Sequence, residues 1–320
     1  MSHDRGRRRI AGALAAAPAL AALGACTREA GHGKDGHGHE VEDVARIDRT
    51  QVAGILRPQD SMQVAAALAA DTGPVSIGGG RYSMGGQTAS PGSLHLDMRG
   101  MNRLLHLDIA SGRARVQAGM RWRDLQAMID PHDLSVAIMQ SYSNFTVGGS
   151  VSVDCHGRYV GKGPIANSVL GLRLVCADGS VRDLDRLREP ELFHAAIGGY
   201  GGLGVITEVE LQLARNGKIA REAEYVALQD YPAWFAGQVA GRADAVLHNA
   251  DLSPPHFDRP VAITWRSTDA PLTVSERLIP EDLDYSREQS LIWAASELPF
   301  GDSVRERKLT RRQIQEHPVV

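Results

Sequence analysis

The sequence predicts an α+β fold, on three observations. A strand–helix–strand unit runs from Val52 to Gly78. Short strands then outnumber helices along the chain. Three glycine-rich clusters, "GGGRYSMGGQ" (78–87), "TVGGSVSVDCHGRYVGKG" (146–163) and "AIGGYGGLGVI" (196–206), recur among these elements. Glycine costs conformational entropy and packs nothing. Such clusters are either flexible linkers or places where backbone must approach something closely. The first directly continues a strand, which disfavours the linker.

The elements follow in order. "VAGIL" (52–56) reads as a strand. "RPQDSMQVAAALAAD" reads as a helix, with Asp60 and Gln63 at capping-box spacing and Val64 one turn from Leu68. "VSIG" is the next strand. In "SLHLDM", Leu94, Leu96 and Met98 alternate with His95 and Asp97, the period of a half-buried strand. "RLLHLD", "ARVQAG" and "LSVAIM" are further strands. "RWRDLQAMI" is helical, with Trp122, Leu125 and Ile129 on one stripe. Pro190 opens a short helix carrying Phe193 and Ile197. In the strand that follows, Val205, Thr207, Val209 and Leu211 alternate with Ile206, Glu208, Glu210 and Gln212. Past residue 216 come a strand, a helix around Trp234 and Phe235, and strands joined across Pro254-Pro255.

Composition sets the bounds. The chain has 320 residues, 43% hydrophobic and 23% charged, with formal net charge −3. That is about two globular domains, with no basic surface to expect nucleic acid as partner. Three cysteines are too few for a disulfide scaffold.

The first residues are not fold. A basic stretch (Arg5, Arg7, Arg8, Arg9) precedes an apolar run, Ile10 to Ala25, shorter than the roughly 20 residues of a membrane span. "LGAC" ends at Cys26 and resembles the lipobox of bacterial lipoproteins. Residues 1–26 are therefore expected to be an export signal with Cys26 lipidated, anchoring the protein on the periplasmic side of a bacterial membrane. The arginine run also resembles a twin-arginine signal without its usual phenylalanine. Residues 27–47, with His32, His37 and His39, read as a solvated tether; a lipoprotein that buffers metal through these histidines is the competing reading. Nothing there would fix ligands in place, so no metal site is expected.

None of the glycine clusters matches G-x-x-x-x-G-K-[ST], and none is a good G-x-G-x-x-G opening a helix. Bare N–H groups converging at glycine-rich turns still suit an anion, and a pyrophosphate is the natural guest. Residues 48–215 resemble the FAD-binding domain of the vanillyl-alcohol oxidase / p-cresol methylhydroxylase (PCMH-type) family. The resemblance rests on "SIGGGRYSMGGQ", "TVGGSVSVDCHGRYVGKGPIANSV", "GLRLVCADGS" and "ELFHAAIGGYGGLGVITEVEL", in order and in register. It implies a domain of two α/β subdomains, followed over 216–320 by an incomplete antiparallel-sheet substrate domain.

The resemblance also implies roles. The first turn (Ile77, Gly78, Gly79, Gly80, Arg81, Tyr82, Ser83, Met84, with Gln87) should wrap the FAD pyrophosphate. The second motif (Ser143, Thr146, Val147, Gly148, Gly149, Ser150, Ser152, Val153) should run along the cofactor, with His156 and Gly157 beyond it. The third, at Gly204, Val205 and Ile206, should meet the adenine side. Arg81 has two readings, charge for the pyrophosphate or a surface ion pair. His156 likewise is either a hydrogen-bond partner of the cofactor or a satisfied core residue. Cys155 and Cys176 read as small buried hydrophobes. Many family members bond FAD covalently to a histidine in the first turn. Here Tyr82 stands in its place, so FAD is expected to be held non-covalently.

The implied function is oxidation of an alcohol, polyol or sugar-like CH–OH group, with hydride passing to flavin N5 and electrons leaving to an unidentified acceptor. The alternative is a truncated, non-catalytic FAD-binding remnant. Family members continue well beyond the point where this chain reaches Val320, so catalytic incompleteness and open strand edges in the second domain are expected. The catalytic base is not identified. His248, Asn249 and His256 are the polar candidates for facing substrate.

Overall fold

The computed structural model describes residues 39–253, 257–280, 284–305 and 310–320. The export signal with Cys26, the tether histidines His32 and His37, the Pro254-Pro255 pair and His256 lie outside them.

Strand β1 (Glu40–Glu42) pairs antiparallel with β2 (Arg49–Gln51). Residues 40–42 of the expected tether are thus part of a two-stranded ribbon. Val41 is 2% exposed. The Asp43 carboxylate closes the connecting turn by accepting from the Ile47 and Asp48 N–H groups, each at 3.1 Å. The Val44 N–H then donates to the Arg81 carbonyl at 2.9 Å, tying this ribbon to the first glycine turn.

Asp60 starts the first helix. Its carboxylate accepts from the Gln63 amide at 2.9 Å, and the Gln63 side chain accepts from the Gln59 N–H at 3.0 Å. Such a reciprocal cap contributes about 1 kcal/mol. It fixes α1 (Ser61–Ala70) between β3 (Gly54–Leu56) and β4 (Val75–Gly78). Both strands pair parallel with β5 (Leu94–Asp97), which lies in the middle. A central strand of a parallel sheet is covered on both faces. Hence His95 and Asp97, expected on a wet face, are 0% and 2% exposed.

The larger sheet is antiparallel. Its order is β10 (Val181–Asp185), β9 (Val169–Val175), β11 (Val205–Arg215), β7 (Arg113–Gln117), β6 (Leu104–Asp108). β8 (Leu134–Val136) joins the far end of β11. Helices α2 (Trp122–Ile129), α3 (Val147–Ser152) and α4 (Pro190–Ala196) cover it, burying Trp122, Leu125, Val147, Val151 and Phe193. The alternation expected of β11 holds only beyond Val209, because its first residues are buried on both sides. There the Ser61 hydroxyl donates to Thr207 Oγ1 at 2.9 Å, linking α1 to β11. Glu208 accepts from Arg115 at 2.7 Å and Arg173 at 2.9 Å. Val175 and Val205 belong to the core under α1 although their strands belong to the larger sheet.

The last sheet runs β12 (Ile219–Tyr225), β14 (Val261–Ser267), β13 (Ala245–Asp251), with α5 (Tyr231–Gln238) between β12 and β13 in sequence. Each of its edges is capped over part of its length, which narrows the expectation of open ones. Along β13, the His248 N–H donates to the Arg158 carbonyl at 2.8 Å, and Val160 N–H donates to the Val246 carbonyl at 3.0 Å. Along β12, Ile219 and Val320 exchange two bonds of 3.0 Å. Such caps shorten the template that invites association. Among the described residues, no helix is long and apolar enough to cross a membrane.

Candidate functional site

Strands β4 and β5 end side by side, with Gly78 paired to Asp97. The first glycine cluster therefore leaves from the carboxyl edge of a parallel sheet, the usual ligand side of such sheets. Against it lies α3, and the turn before β11 closes the end. Between them runs a cleft of about 330 Å³, within the range of small-molecule sites.

Of the expected cofactor residues, Ile77, Gly78, Gly79, Gly80, Arg81, Tyr82, Ser83 and Gln87 line this cleft. So do Thr146, Gly148, Gly149, Ser150, Ser152, Val153, Gly204 and Ile206. Six others are placed elsewhere. Val147 and Val205 turn into the two cores. Met84 and His156 are exposed. Ser143 gives its carbonyl to the Arg123 N–H at 2.9 Å. Gly157 packs its α-carbon on the Met139 carbonyl, where a Cβ would sit 2.0 Å away. Thr88, Met98, Ala118, Gln140, Phe145, Tyr200 and Gly201 also line the cleft and were not anticipated. Phe145 and Tyr200 lie inside or next to glycine motifs already singled out; Met98 and Ala118 arrive through non-local packing that no local pattern announces.

The glycines let the walls close on each other. A Cβ on Gly79 would stand 2.3 Å from Thr146 Oγ1, and one on Gly78 2.6 Å from His95 Nε2. Gly148 is pressed on Ala118 in the same way. Real Cβ atoms do not come so close, so these positions admit only glycine without a shift of the wall. Helix α3 is steadied from behind: the fully buried Trp122 donates from Nε1 to Ser150 Oγ at 2.9 Å, and Ser150 donates to Gln140 Oε1 at 2.6 Å.

Arg81 makes an ion pair, but a largely buried one rather than one at the surface. Its φ is +61°, and its guanidinium lies 3.3 Å from Asp97 Oδ2. Its buried Nε has no partner among the described residues. Arg99 at 2.6 Å and Arg57 at 3.5 Å share the same carboxylate. Burial works to raise the Asp97 pKa, but the Arg99 hydrogen bond and the neighbouring guanidinium charges hold it below its usual value. Three guanidiniums around one carboxylate leave an excess of positive charge beside bare backbone, which suits a pyrophosphate.

His95 lies beneath Gly78. Ser93 Oγ donates to the Ser90 carbonyl at 2.7 Å, so Ser76 Oγ donates to Ser93 Oγ at 2.7 Å. His95 Nδ1 must then donate to Ser76 Oγ at 2.9 Å, which leaves Nε2 a lone-pair acceptor with no partner among the described residues. Burial, reinforced by the Arg81 charge, pushes its pKa down to about 4.

Tyr82 meets Phe145 and Tyr142 edge-on, at centroid distances of 4.8 and 5.4 Å. Burial, with the hydrogen bond to Tyr142, raises its phenol pKa. Among the described residues, the charged side chain of the cleft lining is Arg81. His248 is held by Tyr231 at 2.6 Å and Thr264 at 2.9 Å, and Asn249 accepts from Arg158 at 3.2 Å; neither lines the cleft. Cys155 is buried and Cys176 half-buried, both as free thiols. Burial pushes the Cys155 thiol up to about 12. Among the described residues, no three His, Cys, Asp or Glu side chains are gathered to hold a metal ion.

A glycine-walled cleft with an anion seat at the carboxyl edge of a parallel sheet defines a nucleotide-cofactor site. Residues 52–185 match the family model described as "FAD binding domain"; this stretch is an FAD-binding domain, and FAD is its cofactor. The chain is 32% identical over 151 residues to L-galactono-1,4-lactone dehydrogenase of Brassica oleracea, covering 45% of this chain and 25% of the relative. It is 28% identical over 214 residues to decaprenylphosphoryl-beta-D-ribose oxidase of Mycolicibacterium smegmatis, covering 65% and 45%. It is 33% identical over 138 residues to L-gulonolactone oxidase of Mus musculus, covering 43% and 31%. The matches thus span a quarter to less than half of these relatives. These comparisons agree with the PCMH-type resemblance.

Proposed function

We propose that the chain holds FAD for the oxidation of a sugar-like or lactone CH–OH carbon. The observation that carries this is the cleft itself, where bare glycine backbone and the free Nε of Arg81 meet beside the ring of Tyr82. The names of the relatives, a lactone dehydrogenase, a lactone oxidase and a phosphoryl-ribose oxidase, support the substrate class. Bound FAD supplies the two-electron acceptor. The chain's own residues bind and orient it: Arg81 neutralises the pyrophosphate, α3 lies along it, and Tyr82 packs on the flavin end. On this reading the two parallel and antiparallel layers over 48–215 are the two α/β subdomains, and the sheet of β12–β14 is the substrate side.

The test is direct. Purified protein titrated with FAD should turn yellow and saturate, then reduce an artificial dye with a member of a panel of sugar lactones, polyols and primary alcohols. Saturable FAD binding without turnover on any of them would overturn the oxidoreductase reading and leave a flavin-binding protein. Absence of saturable binding would overturn both.

A further inference from the structure

Tyr200 is 69% exposed yet lines the cleft. Its φ is +51°, a left-handed conformation that costs a non-glycine residue of this kind about 1 kcal/mol or more. Glycines flank it on both sides (Gly198, Gly199, Gly201, Gly202), so the one residue in the turn that resists this conformation is the one that carries a ring. Its N–H is pinned to the Ser152 carbonyl at 3.0 Å. Its ring and hydroxyl have no hydrogen-bond or aromatic partner among the described residues.

Position decides what the ring is for. Phe145, one residue before Thr146 at the start of α3, packs on Tyr82. Tyr200 is tied to Ser152 at the other end of the helix. Six residues of helix separate these ends, about 9 Å. The anion seat at Gly79 and Arg81 lies on the Tyr82 side, because Gly79 abuts Thr146. Apolar Ile77 and Ile206 line the cleft with Tyr200, and Ile77 Cδ1 would lie 2.9 Å from a Cβ on Gly201.

We propose that Tyr200 stacks on the adenine of FAD. This rests on the cofactor reading above. The strained turn holds Tyr200 on the cleft lining at the Ser152 end of α3, largely exposed and without an aromatic partner among the described residues. A purine is flat and tolerant of sequence-independent stacking on tyrosine, and such contacts are worth about 1–3 kcal/mol per base.

The test compares the full chain, Tyr200→Phe and Tyr200→Gly, titrating apoprotein with FAD by flavin fluorescence and competing with ADP. Glycine accepts the native φ, so Tyr200→Gly keeps the turn and should not lower the apoprotein's melting temperature. It should weaken FAD binding about 5- to 150-fold and weaken ADP by a similar factor. Tyr200→Phe keeps the ring and should stay within about threefold of the native chain. FAD affinity unchanged in Tyr200→Gly overturns the proposal while leaving FAD binding itself intact. Loss of FAD affinity with ADP unaffected places the ring on the flavin instead and also overturns it, as does native protein in which millimolar ADP does not compete. If the native chain binds no FAD, the cofactor reading falls first.

Discussion

Acidification should weaken this protein through His95 before it touches the carboxylates. In the fold His95 is fully buried and its pKa lies near 4; in the unfolded chain it returns to about 6.5. A histidine whose folded pKa is lowered is kept neutral by the fold, so the unfolded state takes up the proton first. Stability from this group is complete above about pH 6.5, falls as the pH drops, and levels off below about pH 4. The gap, at about 1.36 kcal/mol per unit, amounts to about 3 kcal/mol in all. About 2 kcal/mol of it should be gone by about pH 5. Asp97 acts in a separate window: its folded pKa is below 3.8, so its contribution is lost only under more acid conditions. Urea unfolding followed by tryptophan fluorescence at about pH 7, 6 and 5 measures the loss. In His95→Asn the amide nitrogen replaces Nδ1 toward Ser76, and no group titrates. The variant starts less stable but should lack the His95 slope. A difference between native chain and variant that stays constant from about pH 7 to 5 would refute the argument that His95 is held neutral beneath Gly78.

Gly79→Ala should cost about 1–3 kcal/mol of stability by driving a methyl into Thr146, and should lower FAD occupancy; pairing it with Thr146→Ala should recover part of the thermal-melt loss, and no recovery would show that the contact is not the cause. Tyr82 keeps its proton because its pKa is raised, which makes it a poor nucleophile, so acid precipitation of the holoprotein should leave the yellow colour in the supernatant; flavin fluorescence that migrates with the denatured chain on a gel would sink the non-covalent reading.

Much of the cleft was legible because its signals are local. The Asp60 cap, the Trp122 stripe and the glycine clusters each need only a few neighbouring residues to be understood, and each lies where its pattern places it. What was not legible depends on what covers a residue's other side. The alternation in β5 and in the first half of β11 looks half-wet along the chain, but a second layer buries both faces. His95 and Asp97 were therefore assigned to solvent. His156 drew attention through the glycine after it, yet that glycine serves the Met139 carbonyl and the imidazole is exposed. Tyr200 was hidden among glycines, since its importance lies in a left-handed backbone that sequence does not display. The strand β1 was lost in a Gly- and His-rich context because three residues carry too little pattern to register.

Strand β11 also bears on how the cofactor gets in. Val175 and Val205 put side chains into the core under α1 while their backbones belong to the antiparallel sheet, and Ser61 bonds Thr207 across the same junction. The two layers that form the cleft walls are therefore joined through the core under α1, which draws side chains from both. Opening the site by swinging them apart would expose that interior to water, at a cost comparable to melting the domain. Heat should therefore melt both layers in a single transition.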